Sequence, residues 1–108
     1  MDITRLELQI TPFPLPIELI DFDAIMSDKV VDISWSTATE TNNDYYTIER
    51  SKDGIHFETL SIVDAAGNSL SLLNYKDIDT NPYQGISYYR IKQTDFNGSF
   101  SFSKIVAV

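Results

Sequence analysis

The chain has 108 residues, enough for one domain with a core of its own, and contains no cysteine, so disulfide frameworks, thiolate zinc sites and cysteine nucleophiles are excluded. Its 8 basic residues against 16 acidic ones leave a formal charge of −8, which opposes binding to the phosphates of nucleic acids or to anionic lipid. At 43% hydrophobic and 22% charged residues it has the composition of an ordinary globular domain, and no run approaches the ~18 apolar residues of a membrane span.

Val, Ile, Thr, Phe, Tyr and Trp supply 40 of the 108 residues and Ala only 5, a bias toward side chains that suit a pleated sheet. Residues 1–13 lead into the proline-punctuated TPFPLP and are expected to be a linker or an extra edge segment, with the domain proper at residues 14–108. A first strand is expected from residue 17 to about 25, with Phe22 and Ala24 on one face and Asp21 and Asp23 on the other. KVVDISWS follows, placing Val31, Ile33 and Trp35 inward by strict alternation, with Trp35 as the core anchor.

The polar stretch TATETNND, residues 37–44, is expected to be a loop before YYTIERS, in which Tyr46 and Ile48 face inward. Asp53-Gly54 suits a type I′ turn, so residues 45–51 and 55–63 should form a hairpin around Gly54. AAGNS, residues 65–69, is a further turn signal, LSLLNYKD a fifth strand, and TNPYQG a corner. ISYYRIKQTD then alternates Tyr89 and Ile91 inward with Arg90 and Lys92 outward. Asn97-Gly98 marks the last hairpin, with Gly98 as its turn glycine. The return strand carries Phe100 and Phe102 on one face, read as core, and then changes phase, which points to a bulge near Ser103 and Lys104. Seven short strands at this spacing predict an all-β fold, an immunoglobulin-like or fibronectin type III-like antiparallel β-sandwich.

The phrases LPIELIDFDA, ISWSTATETNNDYYTIERSKDGIHFE and QGISYYRIKQTDFNGSFSFSKIVAV resemble, in order, a recurrent fibronectin type III-like domain of secreted Bacteroidetes proteins. That domain sits just before the C-terminal sorting domain of the type IX secretion system. The resemblance spans roughly residues 14–108 and implies a secreted or cell-surface module, with an export signal upstream and a sorting signal downstream. Met1-Asp2-Ile3-Thr4 lacks the basic and apolar regions of a signal peptide, which fits either a cytosolic protein or an excised piece of a longer chain; KIVAV reads as the middle or end of a strand, and the excised piece is the expectation. No catalytic set transfers. Structural roles do: Trp35 as anchor, Asp53-Gly54 and Asn97-Gly98 as turns, Tyr89 and Ile91 as inward residues. The corner tyrosine of such modules falls on Ser87 here unless Tyr88 takes the role in another register.

Several constellations could carry chemistry. His56 is the only histidine, so a serine relay would need it, yet its place beside the Asp53-Gly54 turn predicts a solvent-facing position. Asp21 with Asp23, and Asp77 with Asp79, have the i, i+2 spacing of carboxylates on one strand face, and solvated surface charge is the expected outcome. Asp77-Ile-Asp79-Thr-Asn81 matches half of a calcium loop, but Pro82 stands where the turn glycine belongs and Tyr88 where the last glutamate would be. Asp77, Asp79 and Asp95 remain as candidates for a looser calcium site. Tyr45, Tyr75, Tyr83 and Tyr88 fall outside the inward pattern and are the candidates for an aromatic platform that binds polysaccharide or a cell-surface protein. The expected function is a non-catalytic spacer that needs no cofactor and contacts the neighbouring domains of its parent chain, with no nucleic-acid partner and no direct membrane insertion; a carbohydrate- or protein-binding accessory module is the alternative.

Overall fold

The computed structural model describes residues 17–108; residues 1–16, with the expected linker, lie outside the described residues, as do the side chains of Ile17, Glu18 and Ile20. The described residues form seven antiparallel strands and no helix: β1 (Ile17–Ser27), β2 (Val30–Ser51), β3 (Phe57–Ser69), β4 (Leu73–Asp79), β5 (Tyr88–Asp95), β6 (Phe100–Phe102) and β7 (Val106–Ala107). All seven belong to one curled sheet organised by β2. The first half of β2 pairs with β1 on one side and β4 on the other. Its second half pairs with β3 and β5, and β5 in turn pairs with β6 and β7.

β2 contains 22 residues, and a straight strand of that length would hold Trp35 and Tyr46 roughly 35 Å apart. Their ring centroids are 5.4 Å apart, so the strand folds back on itself. The reversal falls at residues 40–43, where Asn42 has φ 53° and the ladders to β3 and β5 slip beside Asn43. Asparagine tolerates this left-handed backbone better than other residues with a side chain, which explains why the chain turns there. The segment expected to be a free loop is therefore paired backbone that bends. Three of its polar residues are withdrawn from solvent: Thr37, Glu40 and Asn43 are buried and bond one another, Thr37 Oγ1 donating to Glu40 at 2.9 Å and Asn43 Nδ2 at 3.0 Å.

The fold-back brings the inward faces of both halves together over Phe22, Ala24, Val31, Ile33, Trp35, Tyr46, Ile48, Tyr89 and Ile91, all buried. Leu60, Val63, Ala65, Tyr75, Val106 and Val108 pack against them. The inward positions expected of Trp35, Tyr46, Tyr89 and Ile91 are those observed. A buried carboxylate closes the core at each end. Glu40 stands at the reversal, and Asp79 stands at the opposite end, beside Arg50 and Tyr89.

Three further expectations need correction. Residues 65–69 are the end of β3 rather than a turn, with Gly67 at φ +79° opposite Asn43 at a slip in the ladder. The hairpin at Asp53-Gly54 is not a type I′ turn: Gly54 has φ +78°, but Asp53 has no positive φ, and five residues separate the paired Ser51 and Phe57. The Asp53 carboxylate organises that loop by accepting from the Ile55 and His56 N–H groups, both at 2.8 Å, and from Ser51 Oγ at 2.9 Å. The hairpin expected at Asn97-Gly98 is the one observed, with Gly98 at φ +90°.

The third correction concerns Phe100 and Phe102, which are exposed rather than core. The three-residue loop between the paired Asp95 and Ser99 sets the register so that Ser101 faces Gln93 on the inward side, sending both phenylalanines outward. There they are covered by cations: Arg90 Cζ lies 4.0 Å from the Phe102 ring centroid and 3.9 Å from that of Phe57, and Lys92 Nζ lies 4.2 Å from that of Phe100. The expected bulge is present. Residues 103–105 interrupt β6 and β7, Ser103 Oγ accepts from the Ile91 N–H at 2.8 Å, and Val106 returns to the core side.

Candidate functional site

Of the four candidate platform tyrosines the structure brings together two. Tyr83, on the segment between β4 and β5, and Tyr88, at the start of β5, line a shallow depression of about 570 Å³ with Lys52, Gln84 and Ile86. Tyr75 is withdrawn from this role: its ring stacks on Trp35 and its hydroxyl donates to Glu40 at 2.6 Å. Tyr45 pairs with Thr94 near the far end of β5 from Tyr88, which pairs with Ser51.

The depression rests on a network that begins at the buried Asp79. Arg50 alternates with Tyr46 and Ile48 along β2 and so points into the core end, where an unpaired guanidinium would be costly. Its Nη1 donates to Asp79 at 3.0 and 3.2 Å and to the Asn81 carbonyl at 2.9 Å, while Nε and Nη2 donate to Glu58 at 3.2 and 2.8 Å. Burial would lower the guanidinium's pKa, but the bonds to Glu58 and Asp79 outweigh it, so Arg50 is firmly charged. Glu58 accepts from the Tyr83 hydroxyl and from Arg50, which holds its carboxyl below the usual glutamate range. The same bond to Glu58 pushes the Tyr83 hydroxyl up. The Tyr83 ring lies 4.3 Å from Arg50 Cζ and 5.0 Å from Lys52 Nζ, and its backbone N–H donates to the buried Ser87 Oγ at 3.0 Å.

Ser87, at the position of the expected corner tyrosine, is buried and exchanges backbone hydrogen bonds with Val108 at 3.0 and 2.8 Å. Tyr89 instead carries a hydroxyl anchor, donating to Asp79 at 2.7 Å. Burial pushes that hydroxyl's pKa well up, and the bond to Asp79 adds to the effect.

The other candidates do not converge. Asp79, expected among surface carboxylates, is buried and ion-paired; Asp77 accepts from Ser61 Oγ at 2.5 Å; Asp95 accepts from Gln93 Nε2 at 2.5 Å. Asp95 is six residues along β5 from Tyr89, the partner of Asp79, a separation of roughly 20 Å. Among the described residues no three acidic or histidine side chains come close enough to hold a metal ion. His56 is solvent-facing as expected, its side chain 87% exposed and its Nδ1 2.7 Å from Asp53 Oδ2. Ser51 also bonds Asp53, so the acid stands between serine and histidine, whereas a nucleophile relay needs the histidine in the middle. Asp21 is exposed, and Asp23 bonds the Ala24 N–H at 2.9 Å.

Lys52, Gln84, Ile86 and the Arg50 network were not found in the sequence as site residues. One signal was available, since Arg50 continues the inward alternation of Tyr46 and Ile48 and so demands a buried acid. A larger groove of about 710 Å³ lies along β2 and β4, lined by Asp32, Ile33, Ser34, Lys76, Asp77 and Ile78, with no aromatic ring.

No protein-family model matches the sequence, and no curated protein matches it at a significant level. Solved structures do share its fold. It is similar to part of a pectate lyase of Pectobacterium carotovorum, with a TM-score of 0.62 and 17% identity over 84% of this chain and 26% of the enzyme. A pectate lyase of Erwinia chrysanthemi, solved with tetragalacturonic acid, matches with a TM-score of 0.62 and 18% identity over 87% of this chain and 28% of that one. A β-1,2-glucanase of Parabacteroides distasonis matches with a TM-score of 0.60 and 22% identity over 85% of this chain and 12% of that one. The chain thus spans about a quarter of the two lyases and about an eighth of the glucanase, and at these identities the likeness is one of fold.

Proposed function

We propose that the chain is a non-catalytic, fibronectin type III-like β-sandwich module of a larger secreted or cell-surface protein, of the kind that precedes a type IX sorting segment. Its partners are then the neighbouring domains of the parent chain. The observation that carries this is the proportion of the structural matches: most of this chain resembles only 12–28% of each of three polysaccharide-acting enzymes. A domain-sized piece whose fold is shared by part of enzymes with different activities has the proportions of an accessory unit. Two groups of strands, each built on one half of β2 and facing the other across the core, support the sandwich class. The test is to incubate the 108-residue chain with pectate, β-glucan and xylan and to follow new reducing ends and unsaturated products, beside an equilibrium unfolding curve. A single cooperative transition without turnover is expected; turnover that survives repurification overturns the proposal.

A second function, carbohydrate recognition as an accessory module, is favoured by the convergence of Tyr83 and Tyr88 on one depression. Aromatic faces with a nearby amide are the usual means of holding a sugar ring.

A further inference from the structure

Resting on that second function, we infer that the Tyr83–Tyr88 depression takes a carboxylate-bearing sugar chain, with Lys52 as the partner of the carboxylate. Both rings are held in place before any ligand arrives. Tyr88 packs against Gly54, whose missing Cβ would stand 3.5 Å from the ring carbons. Tyr83 is fixed through its hydroxyl by Glu58 and through its ring by Arg50. A platform fixed in this way loses little side-chain freedom on binding.

The charge of the lining gives the ligand class. Among Lys52, Tyr83, Gln84, Ile86 and Tyr88 the only charged group is the lysine ammonium. Arg50, Arg90 and His56 are each paired with a carboxylate, whereas among the described residues no ion pair includes Lys52. Its Nζ instead lies over the Tyr83 ring, 5.0 Å from the centroid, where it borders the depression beside Tyr88. A uronic acid offers C–H groups to the Tyr88 ring, hydroxyls to the Gln84 amide and a carboxylate to Lys52. The chain's −8 charge opposes a polyanion at long range, but that repulsion is screened beyond about 8 Å at physiological salt. Binding is therefore expected to be weak and to depend on Lys52 as a short-range contact.

Affinity electrophoresis of the whole chain through gels containing polygalacturonate or neutral galactan tests this, with Lys52→Gln, Tyr88→Ala, Tyr88→Phe and Lys76→Gln as variants. Lys76 lies on β4 and controls for the loss of one positive charge elsewhere. The expected result is retardation by polygalacturonate, about tenfold weaker in Lys52→Gln, unchanged in Lys76→Gln, retained in Tyr88→Phe and lost in Tyr88→Ala. Should Tyr88→Ala fail to fold, the two lysine variants decide. Equal retardation by both glycans, insensitive to Lys52→Gln, overturns the acidic ligand and leaves carbohydrate recognition standing. No retardation by either glycan overturns both.

Discussion

The rings of Trp35 and Tyr75 lie face to face, their centroids 5.3 Å apart and their planes 7° from parallel, on directly paired residues of β2 and β4. Tyr46 meets both rings edge-on, at 5.4 and 5.0 Å. Trp35 therefore anchors the point where the two halves of β2 face each other, and Trp35→Ala is expected to cost ~3–5 kcal/mol. A denaturation midpoint that implies less than about 1 kcal/mol would show that this cluster does not hold the halves together.

The ion pair between Arg50 and Asp79 supports the opposite end of the core. Asp79→Ala strands a largely buried guanidinium and the Tyr89 hydroxyl together, and a loss of about 2–4 kcal/mol is expected, moderated because Glu58 still faces Arg50. Tyr89→Phe alone should cost about 1–2 kcal/mol, as the loss of a bond to a charged acceptor, and close to nothing once Asp79 is absent. Additive losses in the double variant would show that the two groups act independently.

Acid should loosen the molecule through Glu40. Burial alone would raise this carboxyl, but the hydrogen bonds from Tyr75, Asn43, Thr37 and the Ala66 N–H bring it below the ordinary value of 4.5. A carboxyl whose folded pKa is depressed contributes stability that is complete above its unfolded pKa and disappears as pH falls through the folded one. Urea midpoints for the native chain should thus decline below about pH 4.5, while Glu40→Gln starts lower at neutral pH and declines less. Parallel curves for the two would exclude Glu40 as the source.

Gly54 and Gly98 both sit in left-handed backbone, yet a Cβ would meet Tyr88 only at ordinary contact distance at the first and nothing at the second. The penalty for alanine should accordingly be conformational at both sites, ~1–2 kcal/mol, and smaller for asparagine, which tolerates this region. Thermal unfolding of the four single variants checks this, and an alanine variant as stable as the native chain would remove the requirement for glycine at that turn.

What was legible in the sequence was the inward alternation: Val31, Ile33 and Trp35, then Tyr46 and Ile48, then Tyr89 and Ile91 all occupy the places their period-two spacing assigns. What was not legible depended on long-range partners. Residues 37–44 look like a loop because Thr37, Glu40 and Asn43 are polar, and only the arrival of Tyr75 and the Ala66 N–H from other strands allows Glu40 to be buried. Asp79 looks solvated until Arg50 is placed beside it. Phe100 and Phe102 look like core because alternation gives a period but not its phase, which the loop after Asp95 sets. The same limit governs the depression, whose Lys52, Gln84 and Ile86 come from two separate stretches of chain with no shared spacing.

The fold-back of β2 also determines how the protein would carry tension. β1 begins opposite Glu40, at the reversal, whereas Val108 is bonded to Ser87 at the Asp79 end, so the ends of the described chain lie on opposite sides of the core. A pull between those ends runs along the strands, and the rungs joining β1 to β2 are loaded in shear, all at once, rather than being unzipped singly. Linked in series, such a unit would resist extension until a whole ladder gave way, and its rupture force would follow the unfolding rate rather than the equilibrium stability.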